Sequence, residues 1–176
     1  MKIHDISTLQ AYIKSVAAQY LEMYYYMDAT PEGFADRLKH FYSNINTGNQ
    51  PALLFTIVDN EISTNGSGYS NAFMCQLMIL QKADKNDQDN LVEVRNRTWK
   101  LSMQVLGQLL SDSEAVLYSN EGDTPEDVEN GKWTITLPEG KLFPEADVAG
   151  LGAYGYSMPF DIAIPVNAVM FNLENI

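Results

Sequence analysis

Apolar positions over the first twenty residues recur at helical spacing, with Leu9, Ile13, Val16 and Tyr20 on one stripe. Ser7-Thr-Leu-Gln10 reads as a capping box, Ser7 accepting from the first turn and Gln10 reaching back, so the helix is predicted to start there. Between Met23 and Met27 three tyrosines follow one another, and the period does not choose between a helix end and a strand. Thr30-Pro31 opens a second, shorter helix, because proline at the first helical position gives up an N–H that has no helical partner. Phe34, Leu38 and Phe41 form its apolar face.

The pattern changes after the turn-rich Asn44–Gln50. Leu53–Val58 is a run of aliphatic, aromatic and β-branched residues and reads as a strand. Ser63-Thr-Asn-Gly-Ser-Gly68 is a reversal signal, since Asn-Gly readily takes positive φ. A second strand continues through Leu80 and completes a hairpin with a long or mobile tip. Lys82–Asp89 is polar and ends this segment. From Leu91 to Leu110 the helical period returns through Val94, Thr98, Leu101, Val105 and Leu109, with Trp99 and Leu106 widening the apolar arc. Trp133-Thr-Ile-Thr-Leu137 alternates as a half-buried strand does. Pro138–Gly155 carries the chain over the surface, after which Tyr156, Met158, Phe160, Ile162 and Ile164 fall on one face of a last long strand. Pro159 within it argues for an edge strand or a bulge, and Val166–Leu173 adds a short strand or an arm.

The order is helix, helix, hairpin, long helix, strand, strand. It predicts one α+β domain over residues 1–176, an antiparallel or mixed sheet with helices packed on one face. Residues 1–50 form its N-terminal helical segment and residues 51–176 the sheet plus the long helix. The length suits one domain, and 45% hydrophobic with 11% aromatic residues supply a core and exclude global disorder.

Charge narrows the function classes. The formal net charge is −12, which repels phosphate backbones and argues against nucleic-acid binding over a broad face. Residues 1–88 stand at −3 and residues 89–176 at −9. Ser111–Gly131 holds seven carboxylates and no Lys or Arg, and reads as a solvated loop. Within this acidic half, Arg95, Arg97 and Lys100 are a basic feature of the long helix. They read either as an exposed face or as half of a subunit contact that meets the acidic segment of a neighbouring copy. The N-terminus lacks the pattern of a signal peptide and no apolar run approaches a membrane span, so a cytosolic origin is expected.

Candidate chemistry is sparse. Gly150-Leu-Gly-Ala-Tyr-Gly155 matches the letters of the dinucleotide fingerprint, but that chemistry needs a strand before the glycines and a helix after them. The flanks here predict neither, so no cofactor is expected. Asp84, Asp87 and Asp89 offer oxygen ligands without the spacing of a calcium loop, and capping of the helix that follows explains them equally well; no metal is expected. Cys75 excludes an intrachain disulfide, being the single cysteine, and its apolar surroundings point to an inert buried thiol. His4 and His40 belong to no catalytic or metal motif. Carboxylate pairs within Glu121–Glu129 or Glu139–Asp147 are the remaining acid–base candidates, and nothing sets them apart from solvated acids.

An N-terminal helix, Pro51-Ala-Leu-Leu-Phe55 opening a strand, the Asn65-Gly-Ser-Gly68 hairpin, the long helix Leu91–Leu110 and the late Gly155–Ile164 strand follow one another through most of the chain. In this order they resemble the tail-terminator and tail-completion proteins of long-tailed bacteriophages and related contractile particles. The Thr30–Ser43 helix and the acidic Ser111–Gly131 insertion depart from the compact version. The resemblance implies a virion protein assembled in the host cytoplasm. It implies a ring, commonly a hexamer, that caps the tail tube, ends its polymerisation and joins tail to head or neck. The partners implied are further copies of the chain, tube subunits and neck or head-completion proteins, with DNA passing through the ring without specific binding and no membrane involved. No catalytic residue is expected. The interface candidates are Asn65, Gly66, Gly68 and Tyr69 at the hairpin, Tyr156 and Phe160 on the late strand, Arg95, Arg97 and Lys100 on the helix, and Glu121, Asp123, Glu126 and Asp127 in the acidic segment. Two other classes are compatible with the sequence: an adaptor or scaffold protein binding partners through its hairpin and edge strand, and a small carboxylate-dependent enzyme.

Overall fold

A computed structural model describes residues 3, 5–20, 25–28, 33, 36–40, 50–65, 68–117, 133–137 and 141–166, with the backbone alone at 25–28, 62–65, 68–71, 114–117 and 165–166. His4, Phe34, Phe41, Gly66, Glu121, Asp123, Glu126, Asp127, Glu129 and Glu139 lie outside the described residues, as does Val166–Leu173 beyond its first residue. In chain order the elements are α1 (Ile6–Gln19), β1 (Tyr25–Asp28), β2 (Ala52–Asn65), β3 (Gly68–Lys82), α2 (Gln88–Leu117), β4 (Thr134–Thr136), β5 (Phe143–Glu145), a 3-10 turn at Val148–Gly150, and β6 (Ala153–Val166). They make an α+β domain on a six-stranded mixed sheet of order β1-β2-β3-β6-β4, with β5 also paired to β6.

The β2–β3 hairpin is the spine. Its register runs from Ala52↔Leu80 to Asn65↔Gly68, so pairing continues through the segment expected to form a long tip. A shift between Ile57 and Asp59 places Val58 in a bulge. β6 lies antiparallel to β3 along 14 paired residues, Lys82↔Ala153 to Tyr69↔Val166. Among the described strands only β1 is parallel, pairing Tyr25–Asp28 with Ala52–Phe55 and resolving the tyrosine run as strand over those four residues.

Strand alternation sorts the side chains onto two faces. Leu53 and Phe55, Phe73 to Ile79 at odd positions, and Met158 to Ile164 at even positions join the buried stripe of α1 (Leu9, Tyr12, Ile13, Val16) and of α2 (Leu101, Val105, Leu109) in the main core. Phe55 and Phe160, both fully buried, stack at 6.4 Å between ring centroids and 28° between planes. Burying each such ring contributes roughly 1.5–3 kcal/mol. The opposite face carries a smaller cluster of Ala52, Leu54, Leu80, Ala153 and Leu38, the last from a helical turn at 36–40. Thus α1 and α2 share one face of the sheet, and Leu38 covers one end of the other.

Several boundaries move for identifiable reasons. α1 begins at Ile6 with Asp5, not Ser7, as its cap: the Asp5 carboxylate accepts from the Thr8 N–H at 2.8 Å while Thr8 Oγ1 accepts from the Asp5 N–H at 3.0 Å. Ser7 donates its hydroxyl to the same carboxylate. These bonds, the Thr8 N–H foremost, hold the Asp5 carboxyl below its ordinary value. α2 starts at Gln88, because Asp87 caps it by accepting from the Asn90 N–H at 3.1 Å. It runs on to Leu117, so Ser111–Leu117 of the acidic segment is helix and not loop. β5 falls inside the stretch expected to be irregular. Pro159 stands in a strand flanked on both sides, with no shift of register against β3. β5 pairs with residues 155–157 and β4 with residues 161–163, so among the described residues the margin of β6 beside Pro159 is a local edge, where its missing N–H removes no bond to β4 or β5.

Candidate interaction surfaces

The first surface is the sheet margin beyond β1. β1 covers Ala52–Phe55 only, so among the described residues the outer edge of β2 is open from Thr56 to Asn65. An open edge is a row of backbone donors and acceptors ready to pair with another strand. The bulge at Val58 and the exposed acids Asp59 and Glu61 interrupt that row, and such features restrict which strand can add to it. Val58 is 54% exposed, and Met74, opposite Asp59 on the neighbouring strand, is 41% exposed. Met74 also faces Asp161 of β6, whose carboxyl is raised above its ordinary value by partial burial. Here the second sheet face is apolar at Met74 and acidic at Asp59 and Asp161, with Met74 and Asp59 exposed and Asp161 half-buried.

The second surface is the outward side of α2. Val92 (56% exposed), Trp99 (47%) and Met103 (43%) stand seven and four residues apart. At 3.6 residues per turn they lie within about 40° of one another, on the side away from Val94, Thr98, Leu101, Val105 and Leu109. Trp99 thus does not widen the core-facing arc as its spacing suggested, whereas Leu106 does pack against the core. A helix that is apolar on two sides has a second surface to bury. The signal was present in the sequence at positions 92, 99 and 103 and is masked there by the stronger stripe beside it.

The expected interface residues divide. Asn65, Gly68 and Tyr69 lie on the far end of the hairpin backbone, with Thr64↔Tyr69 and Asn65↔Gly68 paired. Phe160 is fully buried in the main core, so its side chain is a packing residue and not a docking one; Tyr156 is half-buried. Arg95 and Lys100 are exposed on opposite flanks of the outward stripe. Arg97 is half-buried and stands about 160° around the helix from Arg95, so the three cations do not form one patch.

The remaining candidates for chemistry have structural explanations. In Gly150–Gly155 the glycines follow a 3-10 turn and enter β6, the reverse of the strand-to-helix context a dinucleotide needs. Gly150 and Gly152 take φ of +68° and +67°, and Asp147 Oδ1 accepts from the Gly152 N–H at 2.8 Å. Gly155 is required by contact: a Cβ there would lie 1.9 Å from the Ile79 carbonyl oxygen. Asp84 and Asp87 are engaged by the backbone N–H groups of Asn86 and Asn90 ahead of and within α2. No cluster of three or more His, Cys, Asp or Glu able to hold a metal occurs among the described residues, and no helix among them is long and apolar enough to cross a membrane. Cys75 is buried, its Sγ–H directed at the Phe73 carbonyl at 3.5 Å, and burial, then the Asp161 charge, pushes its thiol up to about 12.

Comparison with protein-family models and with curated proteins finds no match for the chain.

Proposed function

We propose that this chain is a self-assembling structural protein of a bacteriophage-like tail, a terminator that forms a ring on the end of the tail tube, stops its growth and joins it to the neck or head. The observation that carries the reading is the long β2–β3–β6 blade, whose β2 edge has no partner over residues 56–65 among the described residues while its other margin is built differently, from β4, β5 and the far end of β6. Two unlike margins on one sheet suit a head-to-tail contact, in which one patch meets a different patch on the next copy; such contacts form a ring when the rotation between copies closes. Strand addition supplies the backbone bonds, and the Val58 bulge with Asp59 and Glu61 favours one partner strand over others. The order of elements, which resembles the tail-terminator family, supports a hexameric ring with tube and neck proteins as neighbours. The net charge of −12 suits a lumen through which DNA passes without adhering.

The test is assembly. Purified chain is mixed with tube protein from the same genome during tube polymerisation and imaged by electron microscopy. Rings seated on tube ends and shortened, uniform tubes are the expected result; tubes of unchanged length with bare ends would refute the tail reading.

A further inference from the structure

We propose that the outward face of α2 pairs antiparallel with the same face of a second copy, about a two-fold axis passing between residues 96 and 97. The inference goes beyond the ring reading and does not depend on it. Val92, Trp99 and Met103 form a stripe about 16 Å long on a solvent-facing side of the helix. Facing stripes interlock when each side chain enters a gap on the partner. Val92 enters the gap between Trp99 and Met103 of the second copy only if the axis lies between residues 96 and 97.

Charge places the axis independently. Glu93 and Lys100 are both exposed, seven residues apart, and therefore on the same flank of the stripe. In an antiparallel pair like flanks face each other, and Glu93 meets Lys100 of the second copy, twice, when the axis again lies between residues 96 and 97. Packing and charge thus choose one register. Asn96, exposed at the axis, meets its own counterpart, an arrangement by which a polar residue fixes the register of paired helices. Arg95, on the other flank, approaches its own counterpart and opposes the contact. A stripe of this length makes a small interface, so the pairing is reversible, with Trp99 as its anchor.

Sedimentation equilibrium on the full chain over a concentration range tests this. Wild type is expected to reach twice the mass of W99D, whose self-association is weaker by roughly thirtyfold or more. E93K and K100E are each expected to lose the doubling when alone, and an equimolar mixture of the two regains it, because each then offers the charge the other lacks. R95Q tightens the pairing. All the altered side chains are exposed, and circular dichroism confirms each fold. The proposal is overturned if wild type shows no doubling, if W99D retains it, or if the E93K and K100E mixture stays at the mass of its components. Failure of tube capping with the doubling intact would count against the ring reading alone.

Discussion

The Tyr12 hydroxyl donates to Asp112 Oδ2 at 2.6 Å, tying α1 to α2 across 100 positions of sequence. Gln108 donates to the other carboxylate oxygen at 2.7 Å, and the Tyr12 ring meets Trp133 edge-on at 5.1 Å. One tyrosine therefore joins both helices and the residue leading into β4. Tyr12→Phe keeps the ring and removes the bond. It is expected to cost about 1.5–3 kcal/mol, the range for a bond to a charged acceptor, measured by urea unfolding.

The same bond sets an alkaline limit. Burial, then the bond to and the charge of Asp112, raise the Tyr12 phenol well above its ordinary 10.0. Folded chain keeps a proton that unfolded chain surrenders above that value. The stability this contributes is whole below pH 10 and declines as pH rises past it. Wild type should lose stability from pH 10 to 11 more steeply than Tyr12→Phe, read from unfolding midpoints at each pH; parallel losses would rule the explanation out.

Three glycines should respond to alanine in three ways. Gly155→Ala drives a methyl into the Ile79 carbonyl and is expected to cost at least about 3 kcal/mol or abolish folding. Gly150→Ala meets no atom within 4 Å but inherits a φ of +68°, for about 1–2 kcal/mol. Gly107, mid-helix in α2 with open space around it, should gain about 0.5–1 kcal/mol on becoming alanine. Thermal melts of the three variants give the ordering.

Cys75 should resist thiol reagents. Its thiol is buried and pushed up to about 12, so little thiolate exists at pH 8. Labelling by a chromogenic disulfide is expected to follow the rate of unfolding and to become immediate in denaturant; fast labelling of native chain would contradict the burial.

Asp87→Ala removes the acceptor for the Asn90 N–H and should cost about 1 kcal/mol, with loss of helix signal confined to the first turn of α2 in amide exchange.

These effects also indicate how far the sequence could be read. The stripes of α1 and α2, the hairpin and the single α+β domain followed from period and turn chemistry, which are local. What escaped was set by distant partners. Ser111–Leu117 looked like a solvated acidic run, yet Asp112 is held by Tyr12 and Gln108 and the helix continues through it. Pro159 marked an edge by its chemistry, and that edge is local: among the described residues it is the part of β6 between its pairings with β4 and β5, not a whole strand. Phe160 looked available for docking because alternation gives a face without saying which face is covered. At α2 the second apolar stripe was legible in principle, and only the exposure of Val92, Trp99 and Met103 in the fold distinguished it from the core.

The place of β6 between β3 and the short β4 and β5 has a consequence for how the chain is made. β3 leaves the ribosome long before its neighbour, since Tyr69 pairs with Val166 and Lys82 with Ala153. During that interval the β2–β3 hairpin can close on local contacts, but the far side of β3 stays unsatisfied until β6 arrives. A nascent chain therefore passes through a stage in which one margin of the long β3 strand is exposed to other nascent chains. Synthesis rate and chaperone supply, more than native stability, should then govern how much of this protein reaches its folded form.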